Sequence, residues 1–314
     1  MSGGALKLGC WVCGAKKATG GKLSTVTAAE ELKGLVLKRV LGDELTLPAM
    51  PLVAVKALHL LRSPSASLGA VAAILENDPL VSAQVLRLAN SAVYAARESA
   101  VSISQAVSRV GMRALEAVLI EVSASGVFAS KNKDINAACQ RLWEHSLATG
   151  VLGRDIAGLV FGAAGQEFAQ TAFLSGLLHD IGKPVLAAVL LETEKKLPGG
   201  AANAWMPMEA WLDLIDGAHR TVGLLVAAKW EMPALVRRGM TDLGAYETTE
   251  PHSMRNFVRL ANSAVKLAGM FAGRASSEDL EGAVASGCQV LSLERSKVDA
   301  LLQDLGGRVK QRIA

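Results

Sequence analysis

The sequence predicts an all-α protein, a multi-helix bundle with an N-terminal helical subdomain, and three observations carry that prediction. Apolar residues fill 51% of the 314 positions and aromatic residues 4%, so Ala, Leu and Val supply the core and the aromatic, alternating runs that strands favour are scarce. Apolar side chains recur at helical spacing in segment after segment. Those segments are bounded by Pro, Ser, Asp and Gly, the residues that cap or stop helices. A chain of this length buries a sizeable core, as two domains or as one large helical domain with an appended segment.

Residues 1 to about 25 are rich in Gly, Lys, Ser and Thr, without periodicity, and read as a flexible or loosely packed leader. Residues 1–40 hold seven Lys or Arg against two Glu, a local charge of +5 where the whole chain carries +4. The basic pI therefore describes the leader more than the protein. Cys10-Trp11-Val12-Cys13-Gly14 is half of a zinc knuckle. Zinc would need Cys139, Cys288 or a second chain to complete it; a redox pair and an incidental thiol pair are the other readings. Four scattered cysteines make no disulfide framework, so reduced thiols and a cytoplasmic location are expected. No secretory signal is recognised, and apolar stretches such as 184–191 fall far short of the roughly 18 residues of a bilayer span, so no membrane insertion is expected.

In chain order, Leu32, Leu35, Val36 and Val40 predict a short amphipathic helix over 28–40. Leu47-Pro48-Ala49-Met50-Pro51 forces an extended entry to a helix bearing Val53, Val55, Leu58, Leu60 and Leu61. Ser67 caps a helix over 68–76, and Asp78-Pro79 caps a third over 80–89, with proline at the favoured first position. His59 has no carboxylate at helical spacing and reads as a surface or half-buried histidine. Ser102 or Ser104 caps the next segment, Gly111 breaks it, and a helix over 114–127 buries Leu115, Val118, Leu119 and Val122. Residues 130–134 form a polar connector. A long helix over 135–152 carries His145, and 169–178 is a helix that ends in His179-Asp180. Helices over 185–194 and 211–230, another over 257–271, and two amphipathic helices from Leu280 and Ser296 complete the chain. The seven residues Arg87 to Val93 return unchanged at Arg259 to Val265; two copies without a fixed period make no solenoid.

The stretch from Leu174 to Lys183 puts an adjacent His-Asp pair at the end of an apolar run. Imidazole nitrogen and carboxylate oxygen side by side suit a borderline divalent metal, and Lys183 could meet a phosphate. Equally, His179 and Asp180 read as a helix C-terminus, with Gly182 as the stop and Pro184 restarting the chain.

The ordered series Leu47 to Pro51, Asp78-Pro79-Leu80, Leu86 to Ala92, Ser104 to Val107 with Gly111, Leu142 to Ser146, Phe173 to Gly182, His219 to Gly223 and Trp230 to Pro233 resembles the HDOD family. These are bacterial signalling proteins related to the HD-domain metal-dependent phosphohydrolases and regarded as lacking their catalysis. The resemblance covers roughly residues 45–270 and implies an HD-like helical bundle. The chain then divides into a basic leader with one short helix over 1–44, a domain over 45–272 with subdomains 45–130 and 135–272, and a helical extension over 273–314, the leader and the extension lying outside the resemblance. Carried over by motif, the metal ligands of the HD hydrolases correspond to His145, His179, Asp180 and Asn262, the last replacing a carboxylate. A neutral amide attracts a divalent ion less and activates water less. Many relatives carry a His-His pair after the Trp-x-x-Pro segment, where this chain has Arg237-Arg238.

The resemblance thus implies a non-enzymatic signal-transduction or scaffold module with vestigial ligands, no cofactor and regulatory signalling proteins as partners; self-association is compatible with it. The alternative is a residual metal-dependent phosphohydrolase that holds a divalent ion on His145, His179 and Asp180 and meets phosphate through Lys183, with Arg237 or Arg238 beside it. Nucleic-acid binding through the basic leader lacks aromatic interleaving beyond Trp11 and a recognition helix.

Overall fold

Pro48 and Pro51 hold the chain extended before the first helix, and two side chains from the far half of the sequence pin it there. The Lys229 ammonium donates to the Leu47 carbonyl at 2.9 Å and the Trp230 indole to that of Pro48 at 3.0 Å. The structure, a computed structural model, describes Lys38 and residues 47–94, 97–196, 208–241, 244–271 and 274–313, with no strand among them.

An N-terminal lobe holds α1 (Leu52–Leu61), α2 (Leu68–Leu75), α3 (Pro79–Ala89), α4 (Ile103–Val110) and α5 (Met112–Val127). The expected caps form: Ser67 accepts from Ala70 N, Asp78 from the amides of Leu80 and Val81, and Ser102 from Gln105 N. Each satisfies an amide that a helix start leaves unpaired. Gly111, at φ 76°, lets α4 turn directly into α5.

α6 (Lys133–Phe161) and α7 (Gln166–Leu178) form an antiparallel hairpin through the 3-10 turn Gly162–Gly165. α6 runs well past the expected end at 152, because Ile156 and Ala157 are fully buried and continue its apolar stripe. The two helices meet glycine on glycine: a Cβ on Gly176 would lie 2.8 Å from the Gly150 Cα, and one on Gly150 would lie 2.8 Å from the Phe173 carbonyl oxygen. This close seam brings His145 on α6 level with His179 at the end of α7.

α8 (Gly182–Lys196), α9 (Met208–Lys229), α10 (Ala234–Gly239) and α11 (Met254–Leu267) complete the bundle, α9 packing on α8 and α11 on α6 and α7. Gly182 corrects an expectation. It opens α8 instead of ending α7, its φ is not positive, and a Cβ there would collide with the His219 carbonyl. Close approach of α8 to α9 requires the glycine, and a left-handed stop does not.

The C-terminal region holds three helices where two were expected: α12 (Ser277–Val290), α13 (Arg295–Gln303) and α14 (Leu305–Ile313). α12 packs on α11 and α14 on α6, and Ser276 and Asp279 close a capping box at the start of α12. An apolar window within 135–193 has the length and composition of a membrane crossing, but 89% of it is buried inside the protein. The helix expected over 28–40 and the Cys10/Cys13 pair lie outside the described residues.

Candidate functional site

Five elements converge on Asp180. It sits in the turn between α7 and α8, and its carboxylate is buried, with 2% of the side chain exposed. Oδ2 receives the Lys183 ammonium at 2.7 Å from the first turn of α8, and lies 3.4 Å from His179 Nε2 and 3.9 Å from His145 Nε2. Oδ1 faces His219 Nε2 of α9 at 3.4 Å. Asn262 on α11 presents Oδ1 to His145 Nε2 at 3.0 Å. The His145 ring packs on Phe271, centroids 4.6 Å apart, and edgewise against His179 at 5.4 Å.

The second contact of each ring distinguishes the histidines. Nδ1 of His179 donates to the Gly176 carbonyl at 2.7 Å, so Nε2 carries the lone pair, and it has no hydrogen-bond partner. A histidine oriented through a backbone carbonyl with its other nitrogen free is the usual presentation of a metal ligand. His145 is different: Asn262 occupies Nε2, and the orphaned nitrogen is Nδ1. His219 is oriented by the carbonyls of Ile215 and Asp216, at 3.0 and 2.9 Å.

Burial pushes the His179 imidazole down to about 4, and burial followed by the neighbouring His179 holds His145 well below the usual histidine range. Burial alone would raise the Asp180 carboxyl, yet His179, Lys183 and His219 together hold it well below the usual carboxylate range. Lys266, one turn beyond Asn262 on α11, is lowered by burial, an effect that Asp180 opposes. At neutral pH His145 and His179 are therefore neutral imidazoles beside an ionised carboxylate that takes its counter-charge from lysine.

This donor set fits a divalent ion in part. His145, His179 and Asp180 each offer an atom within 4.8 Å of the others, the one such group among the described residues. Of these atoms His179 Nε2 is free, while the amide of Asn262 takes His145 Nε2 and the Lys183 ammonium takes Asp180 Oδ2. The ligand types of a metal site persist, and protein groups satisfy most of them. As arranged, the residues do not fit a catalytic metal centre.

All four expected ligand positions, His145, His179, Asp180 and Asn262, come together, and Lys183 joins them, bonded to Asp180 and not turned outward toward a phosphate. Arg237 and Arg238 are exposed on α10, Arg238 lining a separate groove with Phe168 and His252. Cys139 and Cys288 are buried as free thiols and belong to no metal-ligating cluster among the described residues. Sequence reasoning missed His219 and Lys266 as members of the site. Their signals were present: His219 opens one of the motif segments, and Lys266 lies four residues after Asn262, on the same helix face.

A family model described as HDOD domain matches residues 47–243. An uncharacterized protein of Treponema pallidum (strain Nichols) is 28% identical over 189 residues, which are 60% of this chain and 35% of that protein, so this chain spans about a third of the relative's length. Two solved structures share the fold. One, named "Putative metal-dependent phosphohydrolase", from Shewanella amazonensis SB2B, superposes with a TM-score of 0.68 at 22% identity over 92% of this chain and 100% of that chain. The other, an HDOD domain protein with unknown function from Geobacter sulfurreducens, gives 0.59 at 19% identity over 90% and 98%.

Proposed function

The chain belongs to the HDOD domain family, and from that premise we propose that it acts as a non-enzymatic module of bacterial signal transduction, working through contacts with other proteins. The observation that carries this reading is the Lys183 ammonium on Asp180 Oδ2 at 2.7 Å. A hydrolytic metal centre uses its ion to lower the pKa of a bound water and to polarise the phosphoryl oxygen. Here the buried carboxylate that would hold the ion is neutralised by the chain's own cation, and the fourth position is an amide engaged with His145. The group works as a polar keystone tying α6, α7, α8, α9 and α11 at one point, and the surfaces of those helices do the signalling.

A residual metal-dependent phosphohydrolase is the second reading, favoured by the orphaned Nε2 of His179. A turnover screen separates the two. The full chain is incubated with nucleotides and phosphodiesters in manganese or magnesium. The first reading expects no hydrolysis above the blank. Hydrolysis that disappears in an Asp180→Asn variant of unchanged helicity would instead establish the second.

A further inference from the structure

The C-terminal helix α14, Leu305–Ile313, is built unlike the helices it touches. It buries Leu305, Val309 and Arg312 and half-buries Ile313, an i, i+4, i+7, i+8 set that places its anchors on one face. Its polar ends grip different parts of the molecule. Arg308 donates to Asp155 Oδ2 on α6 at 2.6 Å. Arg312 forks onto Glu121 of α5, Nε to Oε1 at 2.7 Å and Nη2 to Oε2 at 2.5 Å. Its guanidinium also lies 5.2 Å from the ring centroid of Phe173 on α7 and 5.9 Å from that of Tyr94.

The seat is deep, and the helix that fills it is intrinsically weak. Nine residues are fewer than the roughly 12–15 an isolated helix needs in water. Two of them are consecutive glycines, the poorest helix formers after proline. At Gly306 nothing requires glycine: a Cβ there meets no atom within 4 Å, and φ is not positive. Docking therefore makes α14 helical, and undocking unfolds it. The fit is also incomplete. Arg312 Nη1 is buried without a partner, and a cavity of about 50 Å³ lined by Gln84, Arg87, Glu121 and Trp143 lies beside it.

We propose that the face built from α3, α5, α6 and the turn at Ala92–Tyr94 is a docking site for an amphipathic helix with an arginine anchor. The chain's own α14 fills this site in cis, and a partner helix of the same pattern displaces it. The Glu121 carboxylate receives the anchor by a bidentate charge-assisted pair, and the apolar anchors Val309 and Leu305, three and seven residues before it, give helix-in-groove register. The partner class is a cationic amphipathic helix, and the proposal is independent of any chemistry at Asp180.

The test uses the full chain and a fluorescein-labelled peptide of residues 304–314. Arg312→Ala removes the anchor, so hydrogen exchange at the amides of 308–313 is expected to accelerate about tenfold or more. The labelled peptide is expected to bind that variant about tenfold tighter than the wild type, and a peptide carrying Arg312→Ala is expected not to bind. Wild-type protection of α14 in the variant overturns the proposal, and so does a released α14 whose seat takes no peptide. Should Arg312→Ala fail to fold, Gly306→Ala in the otherwise wild-type chain carries the test. Exchange at 308–313 must slow by about fivefold, and unchanged exchange overturns the proposal.

Discussion

Two carboxylates are buried among the described residues, Asp180 and Glu121, and the molecule neutralises them in different ways. Asp180 takes its cation locally, from Lys183 three residues on, and has three histidines around it on helices that cannot leave without opening the core. Glu121 takes its cation from Arg312, 191 residues away, on a terminal helix that can. A buried pair is weak support for stability as such, but breaking one by removing a single partner is costly because the remaining charge is stranded. The contrast between the two sites is therefore whether the stranded charge has an escape.

The largest effect is expected at the inescapable site. Asp180→Ala strands Lys183 and the half-buried Lys266 beside the neutral imidazoles of His145 and His179, and urea unfolding should show a loss of about 3–5 kcal/mol. Arg312→Ala should cost less, about 2–3 kcal/mol, because undocking α14 returns Glu121 to water before the penalty of a stranded charge is felt in full. A loss at Glu121 equal to that at Asp180 would mean that α14 stays docked and would break the comparison. Gly306→Ala should stabilise the chain by about 0.8–1.0 kcal/mol in the same unfolding experiment, since it adds helix propensity at a position with open space.

The smallest effect concerns a group outside both sites. Burial pushes the Cys139 thiol up to about 11, so at pH 8 the thiolate is scarce and the side chain is enclosed. In native protein Cys139 should stay unlabelled by iodoacetamide over a time in which urea-unfolded protein labels fully, as peptide mass spectrometry would read.

Most of the fold was legible because it is written locally. Ser67, Asp78-Pro79 and Ser102 each cap the helix that follows them, and their spacing to the apolar stripe needs no tertiary information. What was not legible depends on partners distant in sequence. The repeated heptapeptide shows this well. At Arg87 to Val93 its asparagine, Asn90, ends α3, exchanging hydrogen bonds with the backbone of Ala100 and accepting from Arg109. At Arg259 to Val265 the same seven residues run uninterrupted through α11, and Asn262 meets His145. Identical sequence ends one helix and continues another because residues 98–109 are present to bond the first copy, while the core encloses the second. Gly182 taught the same lesson: glycine after a helix signals a stop, and the neighbouring α9 gives it a different purpose. The site was legible through the motif residues His145, His179, Asp180 and Asn262, and His219 was not, because its contact with Asp180 exists once α8 and α9 pack.

Whether lysine has taken over the role of the ion at Asp180 is tested most directly by metal stoichiometry. The full chain is purified, equilibrated with excess manganese, passed through a desalting column and measured by inductively coupled plasma mass spectrometry beside a Lys183→Met variant. With Lys183 as the counter-charge, the wild type should retain less than about 0.1 ion per chain and the variant should retain more, because the vacated carboxylate and the free His179 nitrogen then seek a cation. A wild-type chain that retains about one ion, bound no more tightly in the variant, would contradict the account.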